Sequence, residues 1–198
     1  MRCLSYARAH CYMKRLLVFL CLKINNLKGF FKLDSNMVSV CKTVHALKLF
    51  LDTGYRRLVW DLEEADEILL DWSIHQDANT IRWLLNHIST ILYVYIPRAI
   101  TGDLNYTTKK WQDYHEKKGL KDYLREIQKG KAQADFMLEG LNHDMLEEEL
   151  DWYIGVDTRN NYLVLLVSEI LHHEGQVAAT IGLKERIEGH KARINPPE

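Results

Sequence analysis

A chain of 198 residues, with 47% hydrophobic and 27% charged residues, has the length of one globular domain and an ordinary globular composition. Its net charge of −1 gives no general electrostatic reason to expect nucleic-acid binding. Only three prolines and ten glycines interrupt the chain, which favours long helices.

The first 36 residues differ in charge from the rest of the chain. They contain seven Lys or Arg and one acidic residue, Asp34, and carry a net charge of +6, whereas residues 37–198 carry −7. Three of the four cysteines also lie there: Cys3, Cys11 and Cys21. We therefore predict that residues 1–36 are a basic N-terminal extension outside the domain, and that the domain spans residues 37–198, beginning at Met37.

Within this extension, the sequence MKRLLVFLCLKINNLKGFFKL starts with basic residues and continues with a short apolar run from Leu16 to Leu22. A signal peptide and a helix lying on a membrane surface are the alternatives to a simple extension. No small-x-small cleavage site follows, and the run is too short to span a membrane. The sequence has no Cys-x-x-Cys, and Cys41 alone remains for the domain, which fits a reducing compartment. We therefore predict a cytoplasmic protein with no membrane partner.

Helical spacing of apolar residues begins after Met37. A first helical run is predicted from about Val40 to Leu70, and the polar segment SIHQDANT, which offers several capping residues, separates it from the second. The second helix has the clearest apolar face of the chain, and Gly102 is expected to end it. The residues of this face are Ile81, Leu84, Leu85, Ile88, Ile91, Leu92 and Tyr95.

The second half of the chain continues the helical pattern. A third helix is predicted from about Leu120 to Leu141, and a long acidic connection leads to the fourth helix, YLVLLVSEILHHEGQVAATIG, residues 162–182. Asp157 or Thr158 can cap this helix, Gly182 can end it, and LKERIEG is a short terminal helix. No alternating strand pattern of useful length occurs. The prediction is an all-α fold, an up-down four-helix bundle with a short C-terminal helix.

The fourth helix carries a carboxylate and two imidazoles in an otherwise apolar stretch. Glu169 and His173 lie four residues apart and therefore on one helix face, and a third donor from a facing helix would complete a metal site. His87, at the edge of the apolar face of the second helix, is the best candidate. Two imidazoles and a carboxylate leave coordination positions open, as in catalytic metal sites. The alternative is that Glu169 and His173 are an ordinary polar pair and His87 a hydrogen-bonded boundary histidine.

The segments DANTIRWLLNHISTI and NYLVLLVSEILHHEGQVAATIG together resemble the DinB/YfiT superfamily. In that family a helix-two segment ends in a histidine, and helix four carries His-x-x-x-His-x-Gly-Gln. The resemblance covers about Val40 to Gly189 and implies His87 as the first ligand of a divalent metal and His173 as the last. Glu169 stands where the middle histidine is usual. Glutamate can bind a metal through oxygen, which favours Mn, Fe or Zn over metals that prefer imidazole ligands alone. The expected cofactor is a divalent metal ion, Zn, Ni, Fe or Mn.

The resemblance also implies a function. Similar proteins use a divalent metal to activate a thiol or a water, which predicts a metal-dependent thiol S-transferase or hydrolase with a small-molecule or thiol substrate. The alternatives are a non-catalytic metal-binding or stress-linked bundle, and a bundle without metal in which Glu169 and the histidines form a buried hydrogen-bond network. His172, about 100° away around the helix, is expected to lie outside the ligands, although it could replace one of them. We also predict a homodimer, because similar proteins often form dimers and because Trp60 and Trp72 are expected to be exposed aromatic residues.

The other histidines are expected to be solvated, and the tryptophans to be mostly core or interface residues. These histidines are His45, His75, His115, His143 and His190, and the tryptophans are Trp60, Trp72, Trp83, Trp111 and Trp152. The sequence has neither a Gly-rich phosphate loop nor a Gly-x-Ser-x-Gly elbow, so it carries no signature of a nucleotide-binding protein or of an α/β-hydrolase.

Overall fold

Helices account for most of the described structure. The computed structural model describes residues 42–63, 65–106, 117–152 and 154–189. These ranges are helical apart from loops and one small hairpin, which confirms the predicted all-α bundle. The elements, in chain order, are α1 (Lys42–Asp61), α2 (Glu67–Leu70), α3 (Ile81–Thr90), a π-helical segment (Ile91–Tyr95), α4 (Ile96–Thr101), α5 (Leu120–Glu139), α6 (His143–Glu147), β1 (Glu149–Trp152), β2 (Gly155–Thr158) and α7 (Arg159–Ile187).

The predicted first run, from about Val40 to Leu70, is wrong as a single helix. Helix α1 ends at Asp61, and the chain begins a new helix, α2, after Asp66, whose side chain accepts a hydrogen bond from the backbone N–H of Leu69. A carboxylate placed to cap a helix stops the preceding one because it satisfies N–H groups at a new N-terminus. The short helix α2 in turn supplies Glu67, whose Oε1 accepts a hydrogen bond from the N–H of Leu120 at the start of α5.

The second predicted helix is confirmed, and it is continuous through α3, the π-helical segment and α4. Thr80 caps its start by accepting a hydrogen bond from the N–H of Trp83, and Gly102 ends it with a left-handed φ of 73°. In the π-helical segment the N–H of Ile96 donates to the carbonyl oxygen of Ile91, five residues back. Pro97 follows directly and has no N–H to continue the α-helical pattern, which gives a local reason for the wider turn.

Contacts between the long helices define their directions. Gly54 of α1 faces Leu171 of α7, and Arg57 of α1 pairs with Glu174 of α7, so residue numbers rise together and α1 and α7 are parallel. On α3, Asn86 donates a hydrogen bond to the hydroxyl of Tyr123 on α5.

Two further contacts complete the topology. Tyr93 donates to the carbonyl oxygen of Glu126, so residue numbers also rise together in the second helix and α5, and these two are parallel. The side chain of Arg159, at the start of α7, donates to the carbonyl oxygen of Ala99 at the end of the second helix, which makes these two antiparallel. The four long helices of the described ranges therefore run up, down, down and up, with residues 102–119 connecting the two parallel middle helices.

The core lies between these four helices and consists of aliphatic and aromatic side chains. Leu58, Leu85, Ile127 and Val177, one from each long helix, are all essentially inaccessible to solvent. At Gly130 the α5 backbone approaches the π-helical segment so closely that an added Cβ would lie 2.8 Å from a ring carbon of Tyr93. Glycine is therefore required at this position by packing.

The acidic connection before α7 contains a helical turn and a hairpin that the sequence did not reveal. Strands β1 and β2 pair antiparallel, with Glu149 opposite Thr158 and Trp152 opposite Gly155. Trp152 is the one buried side chain of the two strands and packs against Tyr162, at 4.9 Å between ring centroids. A hairpin with so little buried surface leaves no alternating apolar pattern to detect.

Helix α7 begins as predicted, since Thr158 caps it by accepting a hydrogen bond from the N–H of Asn161. It continues through Gly182 to Ile187, so the predicted C-terminal helix forms the last turns of the same element. Glycine inside a helix lowers stability by about 1 kcal/mol relative to alanine, and the helix continues here despite this cost.

The structure bears to different degrees on the predictions of a homodimer, of a domain boundary at Met37 and of the absence of a membrane span. Trp60 and Trp72 are half-buried rather than exposed, so the surface argument for a homodimer loses its two aromatics. The domain boundary at Met37 lies outside the described residues and stays a prediction. Among the described helices, none combines the length and the apolar composition that a membrane span requires.

Candidate metal centre

The three predicted ligands come together in the interior of the bundle. His87 comes from α3, whereas Glu169 and His173 lie one turn apart on the antiparallel α7. Each residue offers one ligand atom such that all three atoms lie within 4.8 Å of one another. The rings of His87 and His173 meet edge to face, at 4.6 Å between centroids and 85° between planes. Among the described His, Cys, Asp and Glu residues, these three lie close enough together to hold a metal ion.

The local sequence explains why these side chains converge. The spacing of four places Glu169 and His173 on one face of α7, and the neighbours Ile170 and Val177 anchor the adjacent face in the core. On α3, His87 follows the fully buried Asn86 and lies at the edge of the core-facing surface. The facing helices therefore bring one donor to two, as bundle metal sites generally do.

His173 is held by two polar contacts on its own helix. Its Nδ1 lies 2.8 Å from Oε1 of Gln176, and its Nε2 lies 3.2 Å from Oε2 of Glu169. The Nε2 atom is buried and, within the described part of the chain, has no hydrogen-bond partner of acceptable geometry, so its close approach to Glu169 is a polar contact rather than a well-formed hydrogen bond.

The environment holds His87 neutral and Glu169 ionised. Burial, reinforced by the neighbouring His173 and opposed by Glu169, lowers the pKa of His87 to about 4. Burial acts to raise the pKa of Glu169, but the nearby rings of His173, His172 and His87 outweigh it and lower that pKa below its usual value. At neutral pH the cluster therefore contains a carboxylate and, at His87, a neutral imidazole.

His172 and Trp83 occupy the surroundings of the cluster. His172 is exposed, with its ring 5.2 Å from that of His173, and it lies outside the converging group, as expected. The indole of Trp83 stacks on His87 at 5.1 Å and 20°, and its plane meets the ring of His173 at 6.4 Å and 76°. The interpretation of Trp83 as a plain core or interface aromatic missed this role, although its spacing of four from His87 indicates a shared helix face.

A buried carboxylate lies directly behind the cluster. Glu174 is only 2% exposed, and its Oε1 lies 3.2 Å from Nε of Arg57, whose side chain is 54% exposed. Burial, opposed by Arg57 and reinforced by the adjacent Asp61, raises the pKa of Glu174 to about 7. The pair ties α7 to α1 one residue after His173, and nothing in the helical spacing of the sequence distinguished Glu174 from a solvated residue.

The other histidines lie away from the centre. His45, His75 and His143 are exposed, which confirms that they are solvated side chains. His115 and His190 lie outside the described residues.

Comparisons with known proteins identify the family of the chain. A family model described as mycothiol-S-transferase matches residues 46–189, a range that contains α1 from residue 46 onward, the other three long helices and the three converging residues. This family is DinB/YfiT-like, so the predicted resemblance is confirmed.

Two further comparisons address sequence and fold. No curated protein matches the chain. A solved structure described as a conserved protein from Enterococcus faecalis is similar, with a TM-score of 0.57 and 17% identity, over 70% of this chain and 95% of that one. At that identity the likeness shows the fold alone.

Proposed function

Because the chain belongs to the mycothiol-S-transferase family, we propose that it is a metal-dependent thiol S-transferase with His87, Glu169 and His173 as the metal ligands. One observation carries this proposal: three donor side chains from two facing helices converge within 4.8 Å, inside the region that matches the family. The ligand assignment and the cofactor, Zn, Ni, Fe or Mn, are part of the proposal.

The chemistry of the donors fits a divalent metal. His87 is neutral and Glu169 is ionised at neutral pH, so neither must lose a proton before it binds a cation. The buried Nε2 of His173 faces the carboxylate of Glu169 without a hydrogen bond between them, which is the arrangement that a shared cation would stabilise. Two imidazoles and one carboxylate suit first-row divalent metals and leave coordination positions for a substrate.

His87, Glu169 and His173 would hold a divalent metal, which when bound would lower the pKa of a coordinated thiol or water and so supply a nucleophile at neutral pH. The chain contributes the surroundings of that chemistry. Trp83 covers one face of the His87 ring and keeps water from it. The ion pair between Glu174 and Arg57 fixes α7 against α1 immediately behind His173.

A hydrogen-bond network without metal is the second candidate. The 3.2 Å approach of Nε2 of His173 to Oε2 of Glu169 favours it, since a small rotation would let a protonated ring donate to the carboxylate. This candidate predicts a bundle that binds no metal and has no thiol activity. A hydrolase, and a non-catalytic metal-binding or stress-linked bundle, would use the same ligands and differ from the first candidate in activity alone.

The activity test uses the metal-loaded protein, mycothiol as the thiol, and a fluorogenic electrophile as the acceptor. Conjugation should depend on added metal, should be lost in His87→Ala and His173→Ala, and should persist in the matched control His172→Ala. Metal-loaded protein that turns over an ester instead of the thiol would indicate the hydrolase. Protein that binds metal but turns over neither substrate would contradict the enzymatic proposal.

Homodimer formation and a cytoplasmic location belong to the proposal as well. The first rests on the pairing of family members, since Trp60 and Trp72 are half-buried. The second rests on the scarcity of cysteine after residue 36.

A further inference from the structure

Gln176 is the polar neighbour that contacts His173 on the side away from the candidate metal. It lies three residues after His173 on α7, with its Oε1 2.8 Å from Nδ1 of the ring. Its backbone carbonyl oxygen accepts a hydrogen bond from the hydroxyl of Thr180 at 2.8 Å. The side chain is half-buried, so the contact with His173 is partly shielded from water.

This contact determines which ring nitrogen carries the proton. An amide oxygen accepts hydrogen bonds and cannot donate them, so the 2.8 Å contact requires a proton on Nδ1 of His173. A neutral imidazole has one N–H only, and its lone pair is therefore on Nε2. That atom is the one that is buried and faces Glu169 within the converging group.

Glu169 favours the other tautomer of His173, with the proton on Nε2. Its carboxylate, 3.2 Å from Nε2, would accept a hydrogen bond if the proton moved to that nitrogen. A proton on Nε2 would occupy the atom that has to bind the metal. The hydrogen bond from Nδ1 to Gln176 opposes this transfer, because the proton can satisfy only one of the two acceptors while the ring is neutral.

We infer that Gln176 is a positioning residue that holds His173 in the tautomer with a free Nε2, and so prepares this atom to bind a divalent metal. The purpose of this arrangement rests on the proposed function, whereas the tautomer itself does not. Outer hydrogen-bond partners of this kind generally change metal affinity about 10- to 100-fold when they are removed. They also fix the orientation of the ring.

The first test measures zinc affinity by competition with a chromophoric chelator. Gln176→Met has a similar length and no acceptor, and it should weaken zinc binding by about 10- to 100-fold. Gln176→Glu restores an acceptor at the same position and should bind zinc at least as tightly as the wild type. Gln128→Met, the same exchange at an exposed position of α5, is the matched control and should bind like the wild type.

The second test reads the tautomer directly in metal-free protein. Histidine labelled with ¹⁵N is observed at alkaline pH, where a free imidazole is neutral, and His173→Gln identifies the signals of this ring. The wild type should show the proton on Nδ1, and Gln176→Met should move it to Nε2. A wild-type ring protonated on Nε2, or an unchanged tautomer and unchanged zinc affinity in Gln176→Met, would overturn the inference.

The two readouts separate the inference from the proposed function. If the wild type binds no zinc, the proposed metal site fails, while the ¹⁵N spectrum still decides whether Gln176 sets the tautomer. If Gln176→Met does not fold, judged by circular dichroism, Gln176→Glu carries the test. Loss of zinc affinity or of the Nδ1 proton in this conservative variant would contradict the role assigned to Gln176.

Discussion

Lowering the pH of the metal-free protein tests the environment of His87. Burial, reinforced by His173, lowers the pKa of His87 to about 4 in the folded protein, against 6.5 for a solvated histidine. The unfolded chain therefore takes up a proton at higher pH than the folded protein does. This contribution to stability is complete above about pH 6.5 and is lost as the pH falls toward 4. At about 1.4 kcal/mol per pKa unit, the loss amounts to roughly 3 kcal/mol.

Urea unfolding, followed by circular dichroism in the presence of a chelator, gives the free energy of unfolding at each pH. In His87→Gln the side chain does not titrate, so the wild type should lose about 3 kcal/mol more than this variant between neutral pH and about pH 4. His143→Gln replaces an exposed histidine in the same way, is the matched control, and should follow the wild type. Because Glu169 and Glu174 also titrate, the difference between the two proteins is the quantity to compare. Parallel curves for wild type and His87→Gln would refute the reasoning.

Further predictions concern packing, a buried charge, association and the domain boundary. Gly130→Ala should destabilise the protein by about 1–2 kcal/mol, because the new Cβ would lie 2.8 Å from Tyr93 and the cost of overpacking exceeds the gain in helix propensity. Gly182→Ala, whose Cβ would meet only the end of a flexible arginine, should stabilise the protein by about 0.5–1 kcal/mol. A Gly130→Ala variant that unfolds at a higher temperature than Gly182→Ala would contradict the packing at Gly130. Because the pKa of Glu174 is raised to about 7, its contribution to the free energy of unfolding is lost as the pH rises from about 4.5 through 7. The free energy of unfolding of Glu174→Gln should therefore rise relative to that of the wild type over this pH range. A difference between the two proteins that does not change with pH in urea unfolding would contradict this. Light scattering should give a dimer mass, and a monomer at micromolar concentration would remove the dimer. A chain that begins at Met37 should unfold within a few degrees of the full chain, and failure to fold would show that residues 1–36 pack into the domain.

The sequence contained enough information for the helices and for the converging side chains. The second helix was predictable because its apolar residues keep a single face over four turns, and the spacing between Glu169 and His173 requires only a continuous helix. The place of His87 at the edge of the apolar face of the second helix made it the best third candidate, and the family resemblance then supported this choice. Periodicity alone left open whether that ring faces a ligand site or a plain core boundary.

The features that could not be predicted depend on contacts between distant segments. The break after α1 depends on Asp66 as a cap, which competes with a helical pattern that continues on both sides. The two strands of the hairpin bury Trp152 alone among their own side chains. Glu174 looks like a solvated helix residue until Arg57 of α1 is placed beside it, and the role of Gln176 requires a distance to one particular ring nitrogen. These are tertiary facts that local propensity does not encode.

Metal content tests the central claim most directly. The wild type and the variants His87→Ala, Glu169→Ala, His173→Ala and His172→Ala are purified without chelator, reloaded with zinc, freed of excess metal and analysed for metal per chain. The account predicts about one metal per chain in the wild type and in His172→Ala, most of it lost in the other three variants, and a free energy of unfolding raised by about 2.7 kcal/mol at a free metal concentration 100 times Kd. A wild type that remains metal-free after reloading, or equal metal content in all four variants, would contradict the site formed by His87, Glu169 and His173.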